Sequence, residues 1–309
     1  MDKIESLSLR DLRLLVTLAE RRHFARTADE FDLSQATLSA TIKKIEGVFG
    51  QALFVRSSRS VAVTPEGEAV IRQVYVMLEE AERLAGALYP NIAPLTGRFR
   101  LGVFPTLAPY LLPQALPALL ETYPALQPVL TETLTDELLS RLRARQLDGV
   151  LVALPQDDGD LSVYPLFREP FWLAVPSQHA LAERPEITTE DVPLEELLLL
   201  EPGHCLRDQV LSACGTGFLA HRRTVHAAGL ETLLALVAAG RGCAIVPALA
   251  TINRFTTSYR LLPFAAPAPG RTIALVTRRG VGDERDALSL AAFFRRLPES
   301  IPSIEKSEA

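Results

Sequence analysis

Short apolar segments alternate with amphipathic ones from Arg98 to about residue 300. "FRLGVFP" precedes "APYLLPQALPALLETYP", "PVLTETL" precedes "TDELLSRLRARQ", and "RTIALVTRR" precedes "DERDALSLAAFFRRL". The apolar segments have the length of strands, and the amphipathic ones have helical spacing. This alternation is typical of parallel sheets covered by helices. It predicts an α/β, Rossmann-like domain of two lobes over residues 98–300, with a ligand-binding cleft at the carboxyl ends of strands. Within it, "VYPLFREPFWLAVP" predicts two strands.

A different pattern occupies the N-terminal part, in "FARTADEFDLSQATLSATIKKIEGVFG". Apolar residues at helical spacing end at a break over Asp32–Ser34. Ser34 is a favourable N-cap for a second helix from Gln35 to about Phe49, which Gly50 stops. A short helix, a tight turn and a second helix with a polar outer face form a helix-turn-helix. A small helical bundle with a solvated face would give the same pattern.

The polar face of the second helix supplies candidate DNA contacts. Residues near the start of a recognition helix reach base edges, and later lysines reach phosphates. The next segment, "LFVRSSRSVAVT", predicts two short strands around a turn, a wing that grips the DNA backbone. Residues 1–65 hold ten Lys/Arg and eight Asp/Glu, a charge of +2, whereas the remainder carries 22 against 29, or −7. The candidates are Ser34, Gln35, Thr37, Ser39, Lys43, Lys44, Arg56 and Arg59.

Thr64 and Pro65 predict the start of a long helix over residues 66–89, since Thr caps helices and Pro is tolerated at the first helical position. A long helix outside a compact core usually pairs with another chain. "PNIAPLTG" breaks it and predicts a hinge over residues 90–97. The winged helix-turn-helix is thus expected over residues 1–65, and residues 301–309 form a tail expected to be disordered.

The chain begins without a secretory signal pattern, and no apolar stretch approaches the roughly 18 residues that span a bilayer. These observations predict a soluble cytoplasmic protein that has no membrane partner. There is no glycine-rich nucleotide motif, so no cofactor is expected.

The three cysteines are too few for a disulfide framework. Cys205 and Cys214 lie nine positions apart in "EPGHCLRDQVLSAC". Each could be a small buried apolar residue, and a metal site lacks a fourth ligand and suitable spacing. Alternatively the two could react with each other. Cys243 lies in an apolar segment, "CAIVPA", and is expected to be buried.

Chemistry favours reactivity at Cys205. The start of a helix, together with His204 and Arg207, is expected to lower the thiol pKa. If residues 205–214 form one helix, the two Cα atoms lie roughly 13.5 Å apart. A disulfide needs Cα atoms within about 7 Å, so the bond would require the helix to unwind.

The segment "FARTADEFDLSQATLSATIKKIEGVFGQALFVRSSRSVAVTPEGE" resembles the N-terminal domain of LysR-type transcription regulators. The order of a winged helix-turn-helix, a linker helix, a hinge and a two-lobed, periplasmic-binding-protein-like domain is also theirs. Ala36 departs from the proline of many members. The resemblance implies a non-enzymatic regulator that binds double-stranded promoter DNA as a homodimer or homotetramer and contacts RNA polymerase.

Further motifs resemble the peroxide-sensing members of that family. They are "GHCLRDQ" with the second cysteine, "FPTLAPYLLP", "GLETLLALVAAG" and "VPALA", whereas residues 215–228 differ in spacing and charge. The resemblance implies hydrogen peroxide as the signal, Cys205 as the peroxidatic thiol and Cys214 as the resolving thiol, with antioxidant genes as targets. The residues it places around the peroxide are Thr106, Thr135, His204 and Arg271, and Asp208 also lies in the matching motif.

Two other functions remain open from the residues. A regulator of the same type could bind a small metabolite in the cleft and carry inert cysteines. A thiol peroxidase or a solute-binding protein could use the two-lobed domain alone, although the helix-turn-helix counts against both.

Overall fold

The computed structural model describes residues 4–56, 61–87, 93–154, 159–214, 226–252, 258–279 and 284–307. Internal contacts divide the chain into two compact units, Met1–Ile92 and Ala93–Ala309. No helix in these described ranges is both long and apolar enough to cross a membrane.

The N-terminal unit is a winged helix-turn-helix. Ser34 Oγ accepts a hydrogen bond from the amide of Thr37 at 3.0 Å and caps the second helix of the motif. Gly50 closes this helix at a φ of 69°, a conformation that favours glycine. The predicted pair of helices and the turn between them are therefore confirmed. The elements are α1 (Leu9–Arg21), α2 (Phe24–Glu30), α3 (Gln35–Phe49), β1 (Phe54–Arg56), β2 (Val61–Val63) and α4 (Pro65–Ala87).

The long helix α4 begins at Pro65, after a cap in which Thr64 Oγ1 accepts from the amide of Gly67 at 2.9 Å. One of its faces packs into the core of the same unit, through buried side chains that include Val74 and Tyr75. Met77 and Leu84 are 46% and 75% exposed. Helix α4 therefore carries apolar side chains on two faces, one buried in the core of its own unit and the other exposed.

The C-terminal unit contains two hydrophobic cores, which correspond to the two predicted lobes. In the first lobe, β3 pairs in parallel with both β4 and β5. The elements of this lobe are β3 (Gly97–Val103), α5 (Ala108–Thr122), β4 (Leu126–Glu132), α6 (Thr135–Arg143), β5 (Gly149–Ala153), β11 (Gly270–Arg278) and α9 (Glu284–Arg295).

The second lobe carries the segment with two cysteines as a helix, as predicted. Its short strands β7 and β8 pair in parallel. The elements are β7 (Leu199–Leu200), α7 (Cys205–Cys214), β8 (His226–Ala227), α8 (Leu230–Ala238), β9 (Ala244–Pro247) and β10 (Tyr259–Pro263).

One strand, β6 (Leu161–Pro176), runs through both lobes. The prediction of two strands here is wrong. Pro165 lies opposite Ala274, where the pairing with β11 shifts register, and Pro170 is the last residue to pair with β11. Each proline thus sits where the ladder is irregular or changes partner, so neither breaks the strand. Because β6 pairs antiparallel with β9, β10 and β11, the sheet is mixed, and the predicted parallel pairing holds for β3 with β4 and β5.

The tail is ordered where the structure describes it. Ile301 and Ile304 are buried in the first lobe, and β12 (Glu305–Lys306) pairs with β6. The expectation of disorder after residue 300 is therefore wrong for these residues. The burial of two isoleucines accounts for the docking of this segment.

Candidate functional site

A small recess lies in the C-terminal unit at the start of α7. Three segments line it: the residues after β3, the start of α6 after β4, and the residues that lead into α7. It therefore sits at the carboxyl ends of β3 and β4, the edge where an α/β sheet holds ligands. It contains about 160 Å³ of empty space. The lining residues are Phe104, Pro105, Thr106, Leu134, Thr135, Gly203, His204 and Cys205.

Cys205 connects the two lobes. It is the first residue of α7, and its side chain packs against the core of the first lobe. Leu206 and Val210 of the same helix are buried in the core of the second lobe. The thiol therefore contacts one lobe, whereas its helix is anchored in the other.

Burial raises the pKa of the Cys205 thiol above its ordinary value of 9.0. The positive charge of Arg271, the hydroxyl of Thr135 and the amide of Leu206 act in the opposite direction, but burial is the larger effect. The expected lowering of the thiol pKa is therefore wrong for this conformation. Neither His204 nor Arg207 is among the groups that stabilise the thiolate here.

Arg271, on β11, holds Thr106, one of the residues that line the recess. Its Nη1 donates to Thr106 Oγ1 and its Nη2 to the Thr106 carbonyl, both at 2.9 Å. Its Nε donates to Glu169 Oε2 at 2.8 Å. The guanidinium also lies 4.9 Å from the centre of the Phe104 ring. Thr106 and Arg271, both predicted site residues, thus form one buried network.

Glu169 is a member of this network that the sequence reasoning missed. It is fully buried on β6, directly opposite Arg271 on β11, and its Oε1 accepts from the amide of Leu249 at 3.0 Å. Burial raises the pKa of its carboxyl above the ordinary value, although the charge of Arg271 and the N–H groups of Leu249 and Arg271 act in the opposite direction. Because these contacts are all N–H donors, they satisfy the ionised carboxylate. The signal in the sequence was a lone acidic residue within the apolar run "LFREPFW", which requires a cationic partner.

Thr135 presents a buried hydroxyl to the recess. Among the described residues, no group meets its Oγ1 with full hydrogen-bond geometry. The hydroxyl nonetheless lies close enough to the Cys205 thiol to favour the thiolate. A buried and unsatisfied hydroxyl beside a thiol is suited to a small polar ligand.

Two predicted residues lie away from the recess. Arg207 Nη1 donates to the Leu200 carbonyl at 2.8 Å and lies 2.9 Å from His226 Nδ1, so it fastens α7 to β7 and β8. Asp208 is exposed in the first turn of α7 and is not in the lining. The sequence predicts that Arg207 acts on the thiol and places Asp208 in the matching motif, and in this conformation neither side chain lines the recess.

The other two cysteines differ in place. Cys214 is the last residue of α7, and its side chain lies outside the described part of the structure. Cys243 is fully buried in the second lobe, as predicted, with Sγ 3.8 Å from the Pro193 carbonyl. Within the described ranges, no three His, Cys, Asp or Glu residues are grouped as metal ligands.

The outer face of α3 has a layout that refines the predicted DNA contacts. Gln35 and Thr37 are exposed, Ser39 is half-buried and Ser34 serves as the cap. Ala36 and Ala40, which are not among the predicted DNA contacts, are exposed on the same helix. A methyl group can contact thymine, so a small apolar residue also suits such a face.

The two lysines of α3 are not equivalent. Lys43 is exposed, whereas Lys44 Nζ lies 2.9 Å from Asp11 Oδ2. Asp11 also belongs to the capping box of α1 with Ser8. Lys44 thus braces two helices. The side chain of Arg56, and all of Arg59, lie outside the described part of the structure.

Family models match both units. Residues 9–68 match the bacterial regulatory helix-turn-helix protein, lysR family, and residues 93–298 match the LysR substrate binding domain. The chain belongs to the LysR-type transcription regulators.

Three OxyR proteins are similar to this LysR-type regulator in sequence or in structure. The DNA-binding transcriptional dual regulator OxyR of Escherichia coli K12 is 40% identical over 275 residues, which are 89% of this chain and 90% of that protein. A full-length OxyR variant from Pseudomonas aeruginosa is similar in structure, with a TM-score of 0.81, 33% identity and coverage of 98% and 99% of the two chains. A hydrogen-peroxide-bound OxyR mutant from Corynebacterium glutamicum gives a TM-score of 0.65, 31% identity and coverage of 96% and 94%.

Proposed function

We propose that this LysR-type regulator senses hydrogen peroxide through Cys205 and controls antioxidant genes. The single observation that carries the proposal is the recess, where the Cys205 thiol lies beside an unsatisfied hydroxyl of Thr135 and within reach of the charge of Arg271. The peroxide bound to the Corynebacterium glutamicum relative supports the same signal for this chain.

The first chemical step is attack of the Cys205 sulfur on one oxygen of peroxide. The S–O bond forms as the O–O bond breaks, and the departing hydroxide takes up the thiol proton and leaves as water. The hydroxyls of Thr106 and Thr135 can hold the peroxide by hydrogen bonds. Arg271 stabilises the negative charge that develops on the leaving oxygen. The product is a sulfenic acid on Cys205.

The second step joins the two cysteines. The Cys214 thiol attacks the sulfenic sulfur, water leaves, and a disulfide forms. Since both residues belong to α7, that helix must unwind first. Unwinding releases Leu206 and Val210 from the core of the second lobe, so oxidation becomes a conformational change. His204, which is buried in the lining of the recess, is a candidate proton donor in either step.

The output is binding of double-stranded promoter DNA by the helix-turn-helix. The exposed Met77 and Leu84 of α4 support pairing of linker helices in a homodimer, and two dimers would form a homotetramer. Operator half-sites about 10 bp apart, or multiples of this spacing, would match the two-fold symmetry. The protein would act in the cytoplasm, with RNA polymerase as its further partner.

Mass spectrometry of the cysteine peptides after brief, stoichiometric exposure to peroxide tests the proposal. We expect oxidation of Cys205 in the parent protein, and loss of the promoter response to peroxide in Cys205→Ser. Cys243→Ser is the matched control, because Cys243 is buried far along the chain from the recess and should leave the response intact. A Cys205→Ser protein that still switches its promoter with peroxide would refute sensing. Unmodified thiols in the parent would favour a metabolite-responsive regulator instead.

A further inference from the structure

Arg271, which the proposed chemistry uses, is paired with a second buried charge, Glu169, which that chemistry does not use. Glu169 Oε2 lies 2.8 Å from both Nε and Nη2 of Arg271, and neither side chain is exposed. The two residues are in register on neighbouring strands of one sheet, and Gly270 lets those strands approach closely. A Cβ atom at Gly270 would lie 2.7 Å from the Glu169 carbonyl oxygen. The sheet thus holds the carboxylate against the guanidinium.

This arrangement divides the donors of Arg271 between two sides. Nε and Nη2 face Glu169, while Nη1 and Nη2 donate to the side chain and carbonyl of Thr106 at the recess. A cation with a carboxylate at 2.8 Å acts on a third group largely as a dipole, because the anion offsets its charge. We propose that Glu169 is a positioning residue that restrains the reactivity of Cys205 by offsetting the charge of Arg271, and so sets the peroxide level at which the regulator responds. This role deepens the proposed function and rests on it for its biological meaning.

The surroundings of the thiol leave Arg271 as the main source of charge. Arg271 faces it from β11, Thr135 supplies a neutral hydroxyl from α6, and His204 precedes it in the chain. On α7 itself, Arg207 is held by Leu200 and His226, and Asp208 is exposed. Glu169, on β6, is therefore the anion paired with Arg271, the cation whose charge acts on the thiol.

Replacement of the carboxylate separates this role from a merely structural one. In Glu169→Gln the negative charge is lost, and one of the two acceptor oxygens becomes an NH₂ donor that faces N–H groups of Arg271 or Leu249. The charge of Arg271 then acts on the Cys205 thiolate without a paired anion to offset it. If Glu169→Gln merely damaged the recess, Cys205 would react more slowly. Loss of the anion paired with Arg271 should instead make Cys205 react faster.

The test is the pH profile of alkylation of Cys205 by iodoacetamide, read by mass spectrometry of its peptide in the full-length protein with Cys214→Ser. We expect Glu169→Gln to move the profile to lower pH. Near pH 7 the thiolate fraction should rise on the order of tenfold. Lower nucleophilicity of the more stable thiolate offsets part of this gain, so the rate should rise about threefold. Peroxide is absent from this assay, so its result does not depend on whether the regulator senses peroxide.

Two variants serve as controls. Asp148→Asn removes a partly buried carboxylate that Arg100 and Arg278 share in the first lobe, and it should leave the profile unchanged. In an Arg271→Gln background, Glu169→Gln should no longer move the profile, because the cation that it releases is absent. An unchanged or upward-shifted profile in a folded Glu169→Gln protein would overturn the proposal.

Glu169→Asp keeps the charge and shortens the side chain by one methylene. Its reaction rate should stay within about twofold of the parent rate, because the anion that offsets the charge of Arg271 is retained. If Glu169→Gln does not fold, this variant decides alone, and a shift to lower pH as large as that expected for loss of charge would exclude the proposal. Peroxide-dependent oxidation is then measured as a separate arm. A faster alkylation with no reaction toward peroxide in any variant would support Glu169 as the restraint on the thiol and refute the sensing function.

Discussion

Cys205 and Cys214 are the first and last residues of one helix, α7. Their Cα atoms are therefore separated by roughly 13.5 Å, about twice the distance that a disulfide spans. The proposed disulfide and an intact α7 therefore exclude each other.

Oxidation should accordingly expose the amides of α7. We expect hydrogen exchange over residues 205–214 to quicken after peroxide treatment of the parent protein, because the helical hydrogen bonds are lost when the disulfide closes. Cys214→Ser, which can form only the sulfenic acid, should keep most of its protection. Equal protection of the parent before and after complete disulfide formation would contradict this expectation.

Arg207 should control the second step and not the first. It fastens α7 to β7 through the Leu200 carbonyl and to β8 through His226. Arg207→Ala should leave the rate of sulfenic acid formation within about twofold of the parent, since Arg207 does not act on the thiol, but should speed disulfide closure by roughly tenfold, equivalent to loss of about one charged hydrogen bond. Trapping of the sulfenic acid with dimedone over time measures both rates. Slower sulfenic acid formation in Arg207→Ala would instead show that Arg207 acts on the thiol.

The two threonines of the recess should respond in opposite ways to removal of their hydroxyls. Thr106→Val leaves the buried Nη1 of Arg271 without its acceptor and should lower the free energy of unfolding by about 1–3 kcal/mol. Thr135→Val removes a hydroxyl that has no well-aligned partner among the described residues, so stability should be unchanged or slightly higher. The same change removes a group that favours the thiolate, so peroxide should react more slowly. Urea unfolding and dimedone labelling of both variants provide the comparison.

The buried thiol should make stability depend on alkaline pH. Burial raises the pKa of Cys205 above 9.0, so the folded state favours the protonated thiol. This contribution is complete below the unfolded pKa and is lost as the pH rises through the folded pKa, by at most about 1.4 kcal/mol per pH unit. Cys205→Ser cannot ionise and should lose less stability between pH 8 and 10.5. Parallel curves of unfolding free energy for the two proteins would show that the thiol does not titrate with folding.

Lys43 and Lys44 should differ in their contribution to DNA binding. Lys43→Ala should weaken binding to all sequences and reduce the slope of log affinity against log salt by about one, as expected for one lost phosphate contact. Lys44→Ala should change the slope less, because Lys44 is paired with Asp11, and should lower stability by a few tenths of a kcal/mol. Fluorescence anisotropy at several salt concentrations distinguishes the two. A larger change in slope for Lys44 would place it on the phosphate backbone.

Local patterns predicted the helix-turn-helix and α7 well. The Ser34 cap, the break at Asp32 and the Gly50 stop are short-range signals, and the structure confirms each of them. The pairing of Glu169 with Arg271 joins residues 102 positions apart, and their register depends on a bulge between Ile273 and Ala274. No local pattern encodes such a register.

The thiol pKa was misjudged for a related reason. Helix position and neighbouring charges can be read along the chain, but burial of Cys205 arises only when its helix, anchored in one lobe, presses the side chain against the other. The continuous strand β6 was missed because Pro165 and Pro170 suggest an interruption that irregular pairing accommodates.

The narrow recess should select among oxidants by their size. Because side chains line the recess closely around Cys205, we expect a bulkier oxidant to displace more of them than hydrogen peroxide does. Organic hydroperoxides would thus meet a steeper barrier than hydrogen peroxide, independently of their intrinsic oxidising strength. The same close packing of side chains should shield the thiol from large electrophiles. The selectivity of Cys205 among oxidants would then depend on packing as much as on sulfur chemistry.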